Sequence, residues 1–173
     1  MTELRADARR NLERVLDAAS EAFADSGPDV SIDEIARRAG VGHGTVFRRF
    51  PTKDDLMYAV VERHVDRMRV LAVETLASDD PGGAFFDFAR RVAEVAMTTP
   101  GLHRCVVHCG EKPGAAELDR LVAKIVSRAQ HAGAVRADVK PVDVQLLVRS
   151  ALTSAPAGQW RRYLDVVLDG LRT

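Results

Sequence analysis

The chain has 173 residues with Lys plus Arg and Asp plus Glu both at 25, so any attraction to a polyanion must come from local clustering rather than from net charge. No apolar run approaches the roughly 20 residues that span a bilayer, and the polar start MTELRADARRNLER is unlike a secretory signal. Cys105 and Cys109 are too few for a disulfide framework, so a reducing cytoplasm is the expected compartment, and a chain this long can bury one or two small cores.

Leu12, Val15, Leu16, Ala19, Ala22 and Phe23 recur at helical spacing and predict a first amphipathic helix ending near Ser26-Gly27-Pro28. Ser31 with Glu34 three residues later forms a capping box that starts a second helix. Ile35, Ala36 and Ala39 share one face, Gly40 supplies the positive φ of a sharp stop, and Val41 plugs the corner. A third helix begins near Gly42 to Gly44, with Val46, Phe47 and Phe50 turned inward. Two short helices around a glycine turn, with a small alanine where they cross, describe a helix-turn-helix over about residues 32–50. Pro51 ends the third helix, and Thr52 caps the fourth, with Asp54 and Asp55 in the first turn where the dipole favours acids. Leu56, Met57, Val60, Val61, Val65, Met68 and Leu71 carry that helix to about Leu76.

Ser78 to Gly83, SDDPGG, is the clearest boundary in the chain. Beyond it helices are predicted from Phe85 to Met97, from Leu102 to about Cys109, from Ala116 to Ala132 with Gly133 as the stop, from Pro141, and from about Gly158 to Leu171 after Pro156. No segment alternates with period two, so an all-α fold without a sheet is expected.

From Ala36 to Lys53 stand five basic residues, Arg37, Arg38, Arg48, Arg49 and Lys53, and no acid. A duplex backbone attracts such a patch with strong salt dependence; a charge run by itself is more often a solvated face, and the capping box, glycine turn and apolar spacing together reverse that balance. A helix in the major groove presents its early outward residues to base edges, which here are Gly42, His43 and Thr45, with Arg48 one turn later.

AGVGHGTVFRRFPTKDDL also resembles the end of the DNA-binding domain of TetR-type transcriptional regulators: a small residue, Gly-Val, a short variable pair, then Gly-Thr-aliphatic-aromatic before Phe, Pro and Lys. The likeness covers about Arg9 to Val65, and RAQHAGAVRADV and WRRYLDVVLDGLR look like segments of actinobacterial-type members. The resemblance implies an N-terminal three-helix helix-turn-helix domain, residues 1–55. It implies a C-terminal helical effector-binding and dimerisation domain over residues 56–173. It places His43, Gly44 and Thr45 at the groove and Lys53 on a phosphate. Phe47 stands where a phosphate-bonding Tyr is usual, which removes that hydroxyl, and Arg49 stands where His is common. The candidate DNA contacts are therefore Ser31, Gly42, His43, Gly44, Thr45, Phe47, Arg48, Arg49 and Lys53.

The second half offers no nucleophile with a base, no phosphate cradle and no paired metal-binding histidines, so neither an enzyme nor a cofactor is expected. An apolar effector pocket would draw on Phe85, Phe88, Met97, His103, Cys105 and Trp160, the same residue types that fill ordinary cores. His103, Cys105, His108 and Cys109 are the densest reactive cluster, and Cys105 and Cys109 share a helix face. They suit a metal- or redox-responsive alternative, or two small buried hydrophobes. The last two helices are apolar over more than one stripe and so need a second partner surface. Leu147, Ala151, Trp160, Leu164, Val167 and Leu171 are the candidates for a homodimer interface, which is how the resembled family pairs. The expected whole is a homodimeric repressor, released from an inverted-repeat DNA operator by an unknown small molecule. A small helical enzyme or a module unrelated to DNA leaves the basic helix-turn-helix unexplained.

Overall fold

The computed structural model describes residues 2–99, 101, 102, 105, 115–156 and 158–173. Among them the chain forms eight α-helices and one short 3-10 turn, with no strand. An isolated antiparallel bridge between Val135 and Arg172 is the sole extended pairing among these residues. The all-α class follows from the helical spacing of the apolar residues.

The helices gather into two compact units: Met1–Val65 with the described residues of the Thr99–Pro113 stretch, and Asp66–Thr98 with Gly114–Thr173. In the first unit lie α1 (Thr2–Ser26), a 3-10 turn (Gly27–Asp29), α2 (Ile32–Ala39), α3 (His43–Arg49) and the opening of α4 (Lys53–Leu76). α1 packs on α2, and α2 on α3. In these helices Phe23, Ile35, Val46, Leu56, Met57, Val60 and Val61 are each almost wholly removed from water. Arg63 ties α4 to α1 by donating from Nη1 to Asp17 Oδ1 at 2.7 Å and to Glu13 Oε2 at 3.3 Å. Gly101 belongs to this unit as well. Its φ is +66°, and a Cβ there would collide with the Ser20 carbonyl and the Ala24 nitrogen, so only glycine lets the chain lie this close to α1.

The second unit contains the rest of α4, α5 (Pro81–Thr98), α6 (Ala115–His131), α7 (Pro141–Ser154) and α8 (Trp160–Gly170). Its core joins Phe85, Phe86, Phe88 and Ala93 of α5 with Ile125 and Val126 of α6, Val144 and Val148 of α7, and Trp160, Leu164 and Leu168 of α8. α5 starts four residues before the expected Phe85, because Asp80 Oδ1 accepts from Gly83 N at 3.0 Å and Pro81 takes a first-turn position. The two glycines that resemble a loop are helical. A Cβ on Gly82 would stand 2.7 Å from the Ala134 Cβ, so the helix start and the loop after α6 pack too closely for a side chain. Arg128 of α6 donates to the carbonyls of Leu76 and, at 2.9 Å, Ser78, which satisfies the free end of α4. Gln130 Nε2 holds the next loop through the Arg136 and Val139 carbonyls, both at 2.8 Å. α7 opens at Pro141 as expected, and α8 begins at Trp160 rather than Gly158.

Candidate nucleic-acid interface

The glycine turn is built as the residues predict. Ser31 Oγ accepts from Glu34 N at 3.2 Å and caps α2. At the other end Gly40 has φ 63°, its N–H reaches the Arg37 carbonyl at 3.2 Å, and Val41 N reaches the Ala36 carbonyl at 3.1 Å. Those paired bonds close α2 in the Schellman pattern, which needs a left-handed residue at Gly40. Gly42 then runs extended, and Thr45 N donates to its carbonyl at 2.9 Å to start α3. α4 is capped reciprocally: Asp55 N donates to Thr52 Oγ1 at 3.1 Å, and Thr52 N to Asp55 Oδ2 at 3.0 Å.

α3 buries Val46 and leaves His43, Gly44, Thr45, Arg48 and Arg49 exposed. Phe47 does not turn inward as its apolar character suggests; it is 52% exposed. Val46 and Phe50 are four apart and take the inward face, so Phe47 falls about 100° round the helix from Val46. There it stacks on His43, with ring centroids 5.7 Å apart and planes inclined by 15°. His43 Nδ1 is paired with Asp33 Oδ1 from the first turn of α2. Gly44 is helical, and a Cβ added to it would meet nothing within 4 Å. Nothing among the described residues therefore requires glycine here, although glycine in a helix costs about 1 kcal/mol relative to alanine.

The basic patch divides when charges are followed in space. Glu34 Oε1 and Oε2 accept from Arg37 Nη2 and Nε at 2.7 and 2.9 Å, and Oε1 also accepts from Arg38 Nε at 2.9 Å. Arg38 Nη1 further donates to Asp25 at 2.7 Å. The hydrogen bonds from Arg37 and then Arg38 lower the Glu34 pKa to about 2. Glu34 thus spends its carboxylate on the arginines rather than on the second half of a capping box. Sequence order hides this, because Glu34 lies just upstream of the acid-free stretch while the helix sets it one turn from Arg37 and Arg38. Arg48 and Arg49 carry no acidic partner among the described residues. Lys53 Nζ donates to the Pro28 carbonyl at 2.6 Å; an ammonium has three donors, so two are left for other acceptors.

The residues expected to line an effector pocket are divided between the two units. Phe85, Phe88 and Trp160 are in the core of the second unit, and Met97, of the same unit, is 42% exposed. Cys105 is buried and belongs to the first unit. His103, His108 and Cys109 lie outside the described residues. Among the described residues no three His, Cys, Asp or Glu side chains gather to hold a metal ion, and no helix is long and apolar enough to cross a membrane. Of the six candidates for a dimer interface, Ala151, Trp160, Leu164 and Leu171 are buried in this chain's own core, Val167 is half-buried and Leu147 is 42% exposed. The outward apolar residues are Val142, Leu146 and Leu147 on α7, with Tyr163 and Val166 on α8. Asp33 is a feature that sequence reading missed; of the two roles open to Phe47, core packing or DNA contact, its exposure leaves the outward one.

Comparison with known proteins agrees with this geometry. The family model for bacterial regulatory proteins of the tetR family matches residues 15–60. A second, for the C-terminal domain of SbtR-like transcriptional regulators, matches residues 80–173. A crystal structure of the TetR transcription regulatory protein from Mycobacterium vanbaalenii is 41% identical, covers 98% of this chain and 99% of its own, and superposes with a TM-score of 0.74. A TetR transcriptional regulator from Streptomyces coelicolor is 29% identical over 92% of this chain and 97% of its own, with a TM-score of 0.71. An HTH-type transcriptional regulator of Staphylococcus aureus is 38% identical over 64 residues. That match spans 36% of this chain and 35% of the relative, so it concerns about a third of either protein.

Proposed function

The chain belongs to the TetR family of DNA-binding transcriptional regulators, and from that premise we propose that it is a homodimeric repressor of the cytoplasm, seated on an inverted-repeat operator and released by a small molecule. The observation that carries the DNA-contacting role is the outward face of α3. It presents His43, Gly44, Thr45, Phe47, Arg48 and Arg49 to solvent while Val46 holds the helix to the core. The absence, among the described residues, of any reason for glycine at position 44 supports close approach to something outside the chain, which a DNA backbone provides. In this reading His43 and Thr45 face base edges. Arg48, Arg49 and the free donors of Lys53 meet phosphates, Phe47 packs on a sugar, and Ser31 and Gly42 set the helix ends.

Dimerisation is supported by the apolar residues that α7 and α8 leave outside. Val142, Leu146, Leu147, Tyr163 and Val166 are between 42% and 67% exposed, beyond what the core of this chain uses. Paired with their copies they make a four-helix bundle, and the resulting two-fold axis demands a two-fold DNA site. The effector is assigned to the second unit, among the helices around Phe85, Phe88 and Trp160, where apolar side chains set the chemistry of the ligand.

The test is a gel shift of the protein against DNA upstream of its own gene, followed by footprinting. Protection of two symmetric half-sites supports the proposal, and absence of a salt-sensitive shift on any duplex removes it. Analytical ultracentrifugation on the same sample decides between monomer and dimer.

A further inference from the structure

Asp33 has no role in the interface described so far, and its position is electrostatically adverse. Its side chain is 77% exposed in the first turn of α2, beside the helix assigned to the groove. A lone carboxylate there repels the phosphate backbone. It is not alone, because Oδ1 is paired with Nδ1 of His43. The same imidazole is stacked on Phe47 at 5.7 Å. Asp33 therefore fixes one edge of the ring and Phe47 fixes its plane, although His43 itself is 54% exposed. An unrestrained side chain that open to water would sample several rotamers.

The hydrogen-bond chemistry follows from the donor. An ionised carboxylate only accepts, so a hydrogen bond between this pair takes its proton from Nδ1 of His43. A neutral His43 then offers Nε2 as a lone pair on the ring edge away from Asp33. Resting on the reading that α3 enters the major groove, we propose that Asp33 is a positioning residue for base specificity. It holds His43 as a hydrogen-bond acceptor, so the pair selects a base with an exocyclic amino group, adenine through N6 or cytosine through N4. Guanine and thymine present acceptors at that height of the groove and are rejected. The Asp33→Asn variant separates position from charge. Its amide keeps the shape but also donates, and when it donates to Nδ1 the proton moves to Nε2 and His43 becomes a donor.

The experiment begins with selection of random duplexes by the wild-type protein at pH 8.5. The position whose preference disappears in His43→Ala marks the base that His43 faces. Fluorescence anisotropy with four duplexes that differ only there gives the discrimination. The wild type is expected to favour adenine or cytosine by roughly fivefold to tenfold, and Asp33→Asn to bring the ratio within about twofold. Asp33→Asn should also tighten binding to all four duplexes, since a negative charge has gone from the DNA face. In the His43→Ala background it should leave the ratio unchanged, because Asp33 acts through His43. A gain in affinity with unaltered discrimination, a wild-type preference for guanine or thymine, or an effect of Asp33→Asn that survives His43→Ala each overturns the inference. So does a His43→Ala protein that selects the wild-type motif at every position, which leaves DNA binding by α3 intact. A wild type that enriches no sequence defeats the DNA-reading assignment itself. Circular dichroism of each variant accompanies the binding curves, and exposed Asp33 and His43 leave the helices intact.

Discussion

Replacing Arg48 by alanine should weaken the response of DNA binding to salt, whereas replacing Arg37 should barely change it. Both residues are exposed arginines of the helix-turn-helix, yet only Arg37 is held by a carboxylate, through two bonds to Glu34. Releasing it to a phosphate exchanges one anion for another, while Arg48 has no such partner among the described residues to give up. Each phosphate contact contributes about 0.9 to the slope of log affinity against log salt. A dimer repeats every contact twice, so Arg48→Ala should reduce the slope by about 1.8. Between about 50 and about 200 mM salt the wild type then loses roughly tenfold more affinity than the variant does. Anisotropy titrations of one labelled operator at several salt concentrations measure this directly. Equal flattening by Arg37→Ala and Arg48→Ala would refute the division of the basic patch into neutralised and available halves.

Three further outcomes can be measured. Leu147→Glu should give a helical monomer without tight operator binding, because Leu147 is 42% exposed in the single chain and a carboxylate buried in an interface costs several kcal/mol; Leu164→Glu, at a residue 2% exposed, should instead abolish folding, and a Leu147→Glu dimer in sedimentation would place the interface elsewhere. Glu34 has its pKa lowered from the ordinary 4.5 to about 2, so its contribution to stability is complete above pH 4.5 and fades as pH falls through about 2; Glu34→Gln should flatten that acid limb in thermal melts, and an unchanged limb would deny the link to Arg37 and Arg38. Gly82→Ala gains about 1 kcal/mol of helix propensity but forces a Cβ to within 2.7 Å of Ala134, an overpacking that costs about 2 kcal/mol, so the net loss of about 1 kcal/mol should lower the melting temperature in calorimetry by about 2–4 °C.

Local signals in the sequence located most of the helix ends. Ser31, Gly40, Thr52 with Asp55, and Pro141 act through their own backbone or a neighbour three residues away, and all stand where the pattern puts them. Gly82 and Gly83 were misleading because their reason is tertiary: a helix start pressed against Ala134 and folded under Asp80. Phe47 reads as core from its apolar ring and as a DNA contact from the family resemblance, and the register set by Val46 and Phe50 turns it outward. The candidate site was legible as a set of residues but not as a circuit. Which arginines are free and what orients His43 depend on Glu34 and Asp33, two acids on the preceding helix that a linear count of charge leaves out. The last two helices were legible as doubly apolar. Which stripe faces inward depends on the packing of α5 and α6, which no spacing within α7 or α8 encodes.

Gly101 shows that the reading head is discontinuous along the gene. Its unit is completed by residues from beyond α5, more than thirty positions after the chain has left it at Val65. A fragment cut after the helix-turn-helix would therefore leave the Ser20 and Phe23 side of α1 uncovered. A chimera that grafts another regulator's head onto this body at a single junction would set one protein's α1 against another protein's Gly101 segment. Exchange of DNA specificity between relatives would then call for a two-part graft, or for replacement of the outward residues of α3 alone with the buried ones left in place.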